Sequence, residues 1–184
     1  MNYKSILKEE KMLYFKTKTD YIKNFILCTD DWNIWKFQKA LRKSEKYKEK
    51  SKINYFYNIL YFYFKKSRIK KGRKLGITIS EGVFDKGLRI YHCGNIVVNP
   101  NAHIGKNCII VGNLCIGNVN GELVAPKIKD NVMLGWGTTI IGDVIVEENV
   151  KIAAGAVIVK NILTPGATVG GVPGKIIKGE KSDE

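Results

Sequence analysis

Val98-Asn-Pro-Asn-Ala102-His-Ile104-Gly-Lys-Asn-Cys108-Ile-Ile110-Val-Gly-Asn-Leu114-Cys-Ile116 repeats on a period of six. Val98, Ile104, Ile110 and Ile116 are aliphatic. After an interruption the same phase returns at Ile128, Leu134, Ile140, Val146, Ile152 and Ile158. A second ladder stands two residues before each of these: Ile96, Ala102, Cys108 and Leu114, then Pro126, Val132, Thr138, Val144, Val150 and Ala156. Such a period is neither the 3.6 of a helix nor the 2 of a flat strand. It fits a coil with three flat sides, each side a short strand and each corner a turn. One turn of such a coil buries little, and stacking turns on one another makes the core. Gly105, Gly112, Gly117, Gly135, Gly142 and Gly155 fall near corners, where a permissive backbone is useful.

Outward from the coil, the composition divides the chain of 184 residues in two. The formal net charge is +14, and residues 1–75 account for all of it, with 21 Lys/Arg against 7 Asp/Glu. Residues 76–184 are balanced, and 16 of the 19 aromatic residues lie in the first part. We expect a basic, aromatic helical region over 1–75 and the coil over 76–184, with a loop at 117–127 thrown out where the next ladder position would be Glu122.

Within 1–75, residues 1–29 suggest one or two short helices. Thr29-Asp30-Asp31 suggests an N-cap before a helix from Trp32 to about Tyr47. Glu45 to Lys52 reads as a polar hinge. Ile53, Phe56, Tyr57, Leu60 and Phe64 give the apolar face of a second helix, which the basic run Lys65–Lys74 ends. That basic run with interleaved aromatics suggests peripheral contact with an anionic membrane surface. No nucleic-acid recognition motif accompanies the charge, so nucleic acid is not an expected partner. The N-terminus alternates Lys and Glu without an apolar core, so no signal peptide is read. The four cysteines, none in a Cys-x-x-Cys pair, read as free thiols of a reducing cytoplasm, with a location at the inner membrane surface as a further possibility. Their spacing supplies no clustered zinc ligands, and no metal is expected.

Four segments resemble the hexapeptide-repeat acyltransferases, and within them the serine O-acetyltransferase branch. These are Gly87-Leu-Arg-Ile-Tyr-His-Cys-Gly-Asn-Ile-Val-Val98, Ala102-His-Ile-Gly-Lys-Asn107, Pro126-Lys-Ile-Lys-Asp-Asn-Val132 and Gly171-Val-Pro-Gly-Lys-Ile-Ile177. The resemblance implies a mainly β fold, a left-handed parallel β-helix behind an α-helical N-terminal region. It implies a homotrimer with acetyl-CoA as co-substrate, acetyl transfer to an alcohol, and no metal. The carbonic anhydrases built on the same coil need three histidines per zinc, and this chain has two histidines in all.

By the same resemblance His92 is the general base. An alcohol must lose its proton as it attacks a thioester, and imidazole titrates in the range to accept it. The six-residue phase alone would put His92 on the inner ladder, one step before Val98; the motif is followed instead. The resemblance sets acetyl-CoA against Gly117, Asn118, Trp136, Ala154 and Gly155, with Lys175 and Lys178 toward the nucleotide phosphates. Three departures bear on the acceptor. Tyr91 stands where the branch has an Asp before the histidine. Val124-Ala125 stands where it has an Arg-His pair. Ile77 falls at the place of the acid that orients the base, with Glu81 and Asp85 as nearby candidates for acceptor binding. With the serine-holding groups replaced, the expected acceptor is a hydroxyl of a sugar or polysaccharide precursor, as in capsule and exopolysaccharide O-acetyltransferases. Serine, and a non-catalytic membrane-associated scaffold, stay open as alternatives.

Overall fold

The protein is described here by a computed structural model over residues 3–121 and 123–179. Four helices lead: α1 (Tyr3–Tyr14), α2 (Lys18–Ile26), α3 (Asp30–Ser51) and α4 (Tyr57–Leu75). Short strands follow, numbered along the chain, and they stack into three faces. The first face is β1 (Ile77–Thr78), β3 (Ile96–Val98), β6 (Leu114–Gly117), β9 (Thr138–Ile141) and β12 (Val157–Ile158). The second is β4 (His103–Ile104), β7 (Lys127–Ile128) and β10 (Ile145–Val146). The third is β2 (Arg89–Ile90), β5 (Ile109–Ile110), β8 (Met133–Leu134), β11 (Lys151–Ile152), β13 (Thr168–Gly170) and β14 (Lys175–Lys178). All pairings are parallel except β13 with β14.

Every position of both six-residue ladders is buried. Adjacent ladder residues lie one above another because strands of successive turns pair in register, as Ile110 does with Leu134 and Ile116 with Ile140. Each fully buried aliphatic side chain contributes about 1.5–3 kcal/mol, which is how two-residue strands hold together. One column of corners, after the second face, is built on left-handed backbone: Gly87, Asn107, Asn131, Asn149 and Gly166 all have positive φ. The asparagine side chains bond up the column, Asn107 donating to Asn131 and Asn131 to Asn149, each at 3.2 Å. Asparagine tolerates this conformation and satisfies itself locally. The loop after β6 leaves at the column between first and second faces, as its sequence suggested; Glu122 itself lies outside the described residues.

The helices do not form a separate layer. Tyr14, Ile34, Phe37 and Leu41 join the same core as the coil. A buried ion cluster joins the two parts. Arg42 on α3 meets Glu10 of α1 at 2.8 Å and Glu45 at 3.0 Å, and it donates to the carbonyls of Phe84 and Asp85. Glu10 and Glu45 in turn accept from the backbone N–H groups of Gly87 and Gly82. Arg68 of α4 pairs with Glu81 at 3.2 Å and donates to the carbonyl of Ile79.

Three expectations about the helices are corrected. The polar stretch 45–51 is no hinge, because α3 runs through it to Ser51. Its Lys and Glu residues are good helix formers, and Tyr47 stacks on Phe64 at 5.3 Å to close the α3–α4 hairpin. The basic run 65–74 does not end the second helix but forms its latter half, as far as Gly76 in the left-handed conformation. Ile53 and Phe56, read as part of an apolar buried face, are exposed at the hairpin tip instead.

Candidate active site

His92 sits at the corner between the third face and the first. Ile90 points inward and pairs with Ile110, and Ile96 pairs with Leu114. Five residues, 91–95, therefore span a corner that three, 111–113, span one turn later. The two extra residues break the six-residue phase and swing the His92 side chain outward, where it is exposed. The phase reading of an inner-ladder histidine fails for this reason, and Ile90 takes the buried place.

Below His92 the corners stack as Gly112, then Trp136, then Ala153-Ala154-Gly155, joined by the hydrogen bonds from Gly137 N–H to the Gly112 carbonyl and from Gly155 N–H to the Trp136 carbonyl. The Trp136 indole lies across Gly112: a Cβ added there would stand 2.4 Å from its Cζ3 and 3.3 Å from the His92 Cβ. The indole reaches the His92 ring at 6.0 Å between centroids, inclined at 62°. Beneath it Ala154 and Gly155 are exposed, and a Cβ added at Gly155 would meet nothing within 4 Å. This ledge, walled by an aromatic ring and floored by small residues, is open enough to admit a thin, flexible chain such as a pantetheine arm.

Charge reaches this corner from the helical region. Thr29 caps α3 by accepting from the Trp32 N–H, which sets Asp30 and Asp31 in the first helical turn. Asp31 pairs with Arg89 at 2.9 Å. The Arg89 guanidinium lies between the rings of Tyr14, at 4.1 Å, and Tyr91, at 4.6 Å. Its Nη1 is buried with no hydrogen-bond partner. Burial, then the Asp30 carboxylate beside it, pushes the Cys93 thiol up to about 11. Cys93 is therefore a protonated thiol at neutral pH and a poor nucleophile.

The sequence-derived site residues do not all meet. His92, Tyr91, Trp136, Ala154 and Gly155 share one corner column, and Lys175 stands at its foot, opposite Gly170. Gly117 and Asn118 lie at the far edge of the first face, on the column where Gly142 N–H donates to the Gly117 carbonyl. Lys178 is opposite Thr168, at the other edge of the third face. Glu81 and Asp85 do not reach His92. They occupy the two other corners of the first turn, and with Tyr3, Glu45 and Lys52 they line a separate cavity of about 220 Å³. Glu81 is held there by Arg68. The carboxylates that do approach the His92 corner, Asp30 and Asp31, come from the N-terminus of α3. The sequence showed them as cap residues, and nothing in their spacing showed a long-range partner. Val124 and Ala125 stand on the Gly117 edge, Val124 exposed and Ala125 buried.

Comparison with known proteins finds likenesses for part of the coil in sequence and for most of the chain in fold. Residues 125–160 match the family model described as bacterial transferase hexapeptide (six repeats). The serine acetyltransferase of Synechococcus elongatus is 30% identical over 105 residues, 55% of this chain and 43% of that protein. That of Buchnera aphidicola is 36% identical over 95 residues, 50% of this chain and 36% of that protein. The chain thus spans less than half the length of these two relatives. Among solved structures, apo serine acetyltransferase from soybean aligns at a TM-score of 0.75 and 21% identity, over 95% of this chain and 69% of that one. The serine acetyltransferase of Brucella abortus aligns at 0.72 and 20%, over 98% and 71%. The fold is the left-handed parallel β-helix of the hexapeptide transferases behind a helical region, and the likeness of fold extends over that helical region. The expected acceptor is corrected. The relatives that align with the coil are serine acetyltransferases, and the assignment to a capsule or exopolysaccharide branch falls with the sugar acceptor.

Proposed function

We propose that the protein is an acetyl-CoA-dependent O-acetyltransferase whose acceptor is the hydroxyl of serine, with His92 as general base. The reading is carried by the exposed His92 imidazole, set against the Trp136 indole on a widened corner. It is supported by the alignment of that coil with serine acetyltransferases at 30–36% identity.

The serine oxygen attacks the thioester carbonyl carbon while His92 takes the hydroxyl proton. The tetrahedral intermediate then expels the CoA sulfur, which receives that proton from His92. The raised Cys93 thiol favours direct transfer over an acyl-cysteine. Asp30 supplies negative charge for the acceptor's ammonium group. Tyr91, whose ring rests on the Arg89 guanidinium, supplies a donor for its carboxylate. These groups stand in for the absent Asp and Arg-His pair.

The acetyl-CoA arm would run down past Trp136 to Ala154 and Gly155, with Lys175 toward the phosphates. Gly117 and Asn118 join this groove only if a second copy brings its opposite edge to the His92 edge. A homotrimer provides three such grooves, and light scattering at three times the chain mass is the expected result. The four cysteines are free thiols, in keeping with a reducing cytoplasm.

The test is release of CoA thiol from acetyl-CoA by the purified protein and by His92→Ala, with and without serine. Serine-dependent release that falls by about 10²–10⁴-fold in the variant is expected. A folded protein that releases no CoA with serine, or a variant that keeps the rate, overturns the reading.

A further inference from the structure

The α3–α4 hairpin carries a surface that acetyl transfer does not use. At its tip Ile53, Tyr55 and Phe56 are 87%, 85% and 64% exposed. Along α4 the exposure continues at Ile59, Phe62 and Tyr63. The latter half of the helix is basic, and α4 contains seven Lys/Arg and no Asp or Glu. Of these only Arg68 has an ion pair among the described residues. Positions 59, 62, 66, 69, 70 and 73 fall on one helical face, and Phe62 and Ile69 line a shallow groove with Lys66, Lys70 and Arg73. The apolar tip and the cations therefore face the same way. Cations crowd one another on the other sides of the hairpin as well. Burial, then Lys36 and Lys70, pushes the Lys71 ammonium below its ordinary value. The same happens to Lys43 through burial, then Lys39 and Lys46.

We propose that this face docks on a bilayer surface rich in anionic phospholipid. The hairpin tip enters the boundary between headgroups and acyl chains, and the basic half of α4 lies among the phosphates. Among the described residues no helix is long and apolar enough to cross a membrane, so the contact is peripheral. Both halves of the surface are needed to choose the occupant. A polyanion such as RNA neutralises the lysines but offers no apolar phase to Ile53, Phe56 and Ile59. A second copy can cover the apolar tip, but a two-fold contact brings like charge to like charge and leaves the basic half unneutralised. An anionic bilayer matches both, since aromatic and aliphatic side chains bury about 5–10 Å into its interface while Lys and Arg stay at the headgroups. The docking is independent of the acetyl-transfer reading.

The experiment is co-sedimentation of the full chain with vesicles of phosphatidylcholine alone, or of phosphatidylcholine and phosphatidylglycerol at 3:1. Binding to the mixed vesicles only, weakened by salt, is expected. Neutralising two cations with Lys66→Gln and Lys70→Gln should lower partitioning roughly 25-fold, from about fivefold per cation. The pair Ile59→Ser and Phe62→Ser should remove the part that survives high salt, with serine acetylation in solution unchanged by either pair. Equal binding to both vesicle types, or none at low ionic strength by a folded chain, overturns the proposal. It falls equally if heparin binding is as strong and insensitive to Ile59→Ser and Phe62→Ser, or if those changes dissolve a larger oligomer without affecting vesicle binding.

Discussion

Replacing Gly112 by Ala tests whether the wall beside His92 does what its position suggests. The backbone of Gly112 lies outside the left-handed region, so the substitution is not strained by conformation. The added Cβ would stand 2.4 Å from Trp136 Cζ3 and 2.5 Å from its Cε3. Carbon atoms rest at about 3.5–4.0 Å, so the indole must retreat by more than about 1 Å. It is free to do so, being 43% exposed. Retreat gives up a ring contact of about 0.5–1.5 kcal/mol and leaves the rotamer minimum at about 0.5–1.5 kcal/mol. Restriction of the unfolded chain returns about 0.4–1 kcal/mol. Stability should therefore fall by no more than about 2.6 kcal/mol. Displacing a groove wall by about 1 Å can cost on the order of 10²-fold in rate. The expected signature is near-normal folding with kcat/KM for serine acetylation reduced on the order of 10²-fold. Urea titration and CoA-release kinetics on the same preparations read both quantities. Adding Trp136→Ala should remove the collision and bring the double variant back to the level of Trp136→Ala alone. Gly112→Ala with normal kcat/KM, or a double variant worse than Trp136→Ala alone, would refute the idea that Gly112 and Trp136 act as a size-matched pair beside His92.

Three other outcomes follow from the packing. Arg42→Met leaves Glu10 and Glu45 buried without their cation, and should cost about 3–5 kcal/mol in denaturant unfolding. Adding Glu10→Gln and Glu45→Gln should recover part of that loss. At pH 8 the Cys93 thiol, at about 11 rather than its ordinary 9.0, should alkylate with iodoacetamide about 100-fold more slowly than an unperturbed thiol. Asp30→Asn removes the charge that opposes ionisation, so it should speed the reaction while burial keeps it below the free rate. Because this thiol's folded value is raised, its contribution to stability is complete below the unfolded value and is lost as pH rises toward about 11. Cys93→Ala should therefore flatten the alkaline limb of the stability profile. Asn131→Ala places a Cβ-bearing residue without a local hydrogen bond at φ +60° and cuts the asparagine column. It should lower stability by about 1–2 kcal/mol, and Asn131→Gly by less.

His92 shows where a periodic reading fails. The ladder phase is a property of regular turns, and the first turn carries two additional corner residues. The segment Gly87–Val98, read by its resemblance, sets His92 off the inner ladder, and His92 is exposed. Trp136 was legible as an unusual bulky corner, but its contact across Gly112 to His92 was not, since the three belong to successive turns. Glu81 and Asp85 were attractive because they are close to His92 in sequence. A coil with three faces places residues seven and eleven positions away at other corners, where Arg68 and the first-turn cavity hold them. The acceptor was misread for a related cause. Val124-Ala125 and Tyr91 read in sequence as losses from one pocket, whereas in the single chain they lie on different edges of the coil, and Asp30 stands beside Cys93 from a helix about 60 residues earlier.

The sequence by itself determined the coil, its buried ladders and the cap at Thr29. Each of these is set by residues within one or two turns of one another, so periodicity and local chemistry suffice to specify it. Only the tertiary structure decided that α3 brings Asp30 and Asp31 to the His92 corner, that Arg42 and Arg68 bind the helices to the first turn, and that the tip of the α3–α4 hairpin stays bare. Those outcomes depend on where a helix lands when its polar and apolar groups find partners about 10–60 residues away, and no short-range pattern encodes that landing.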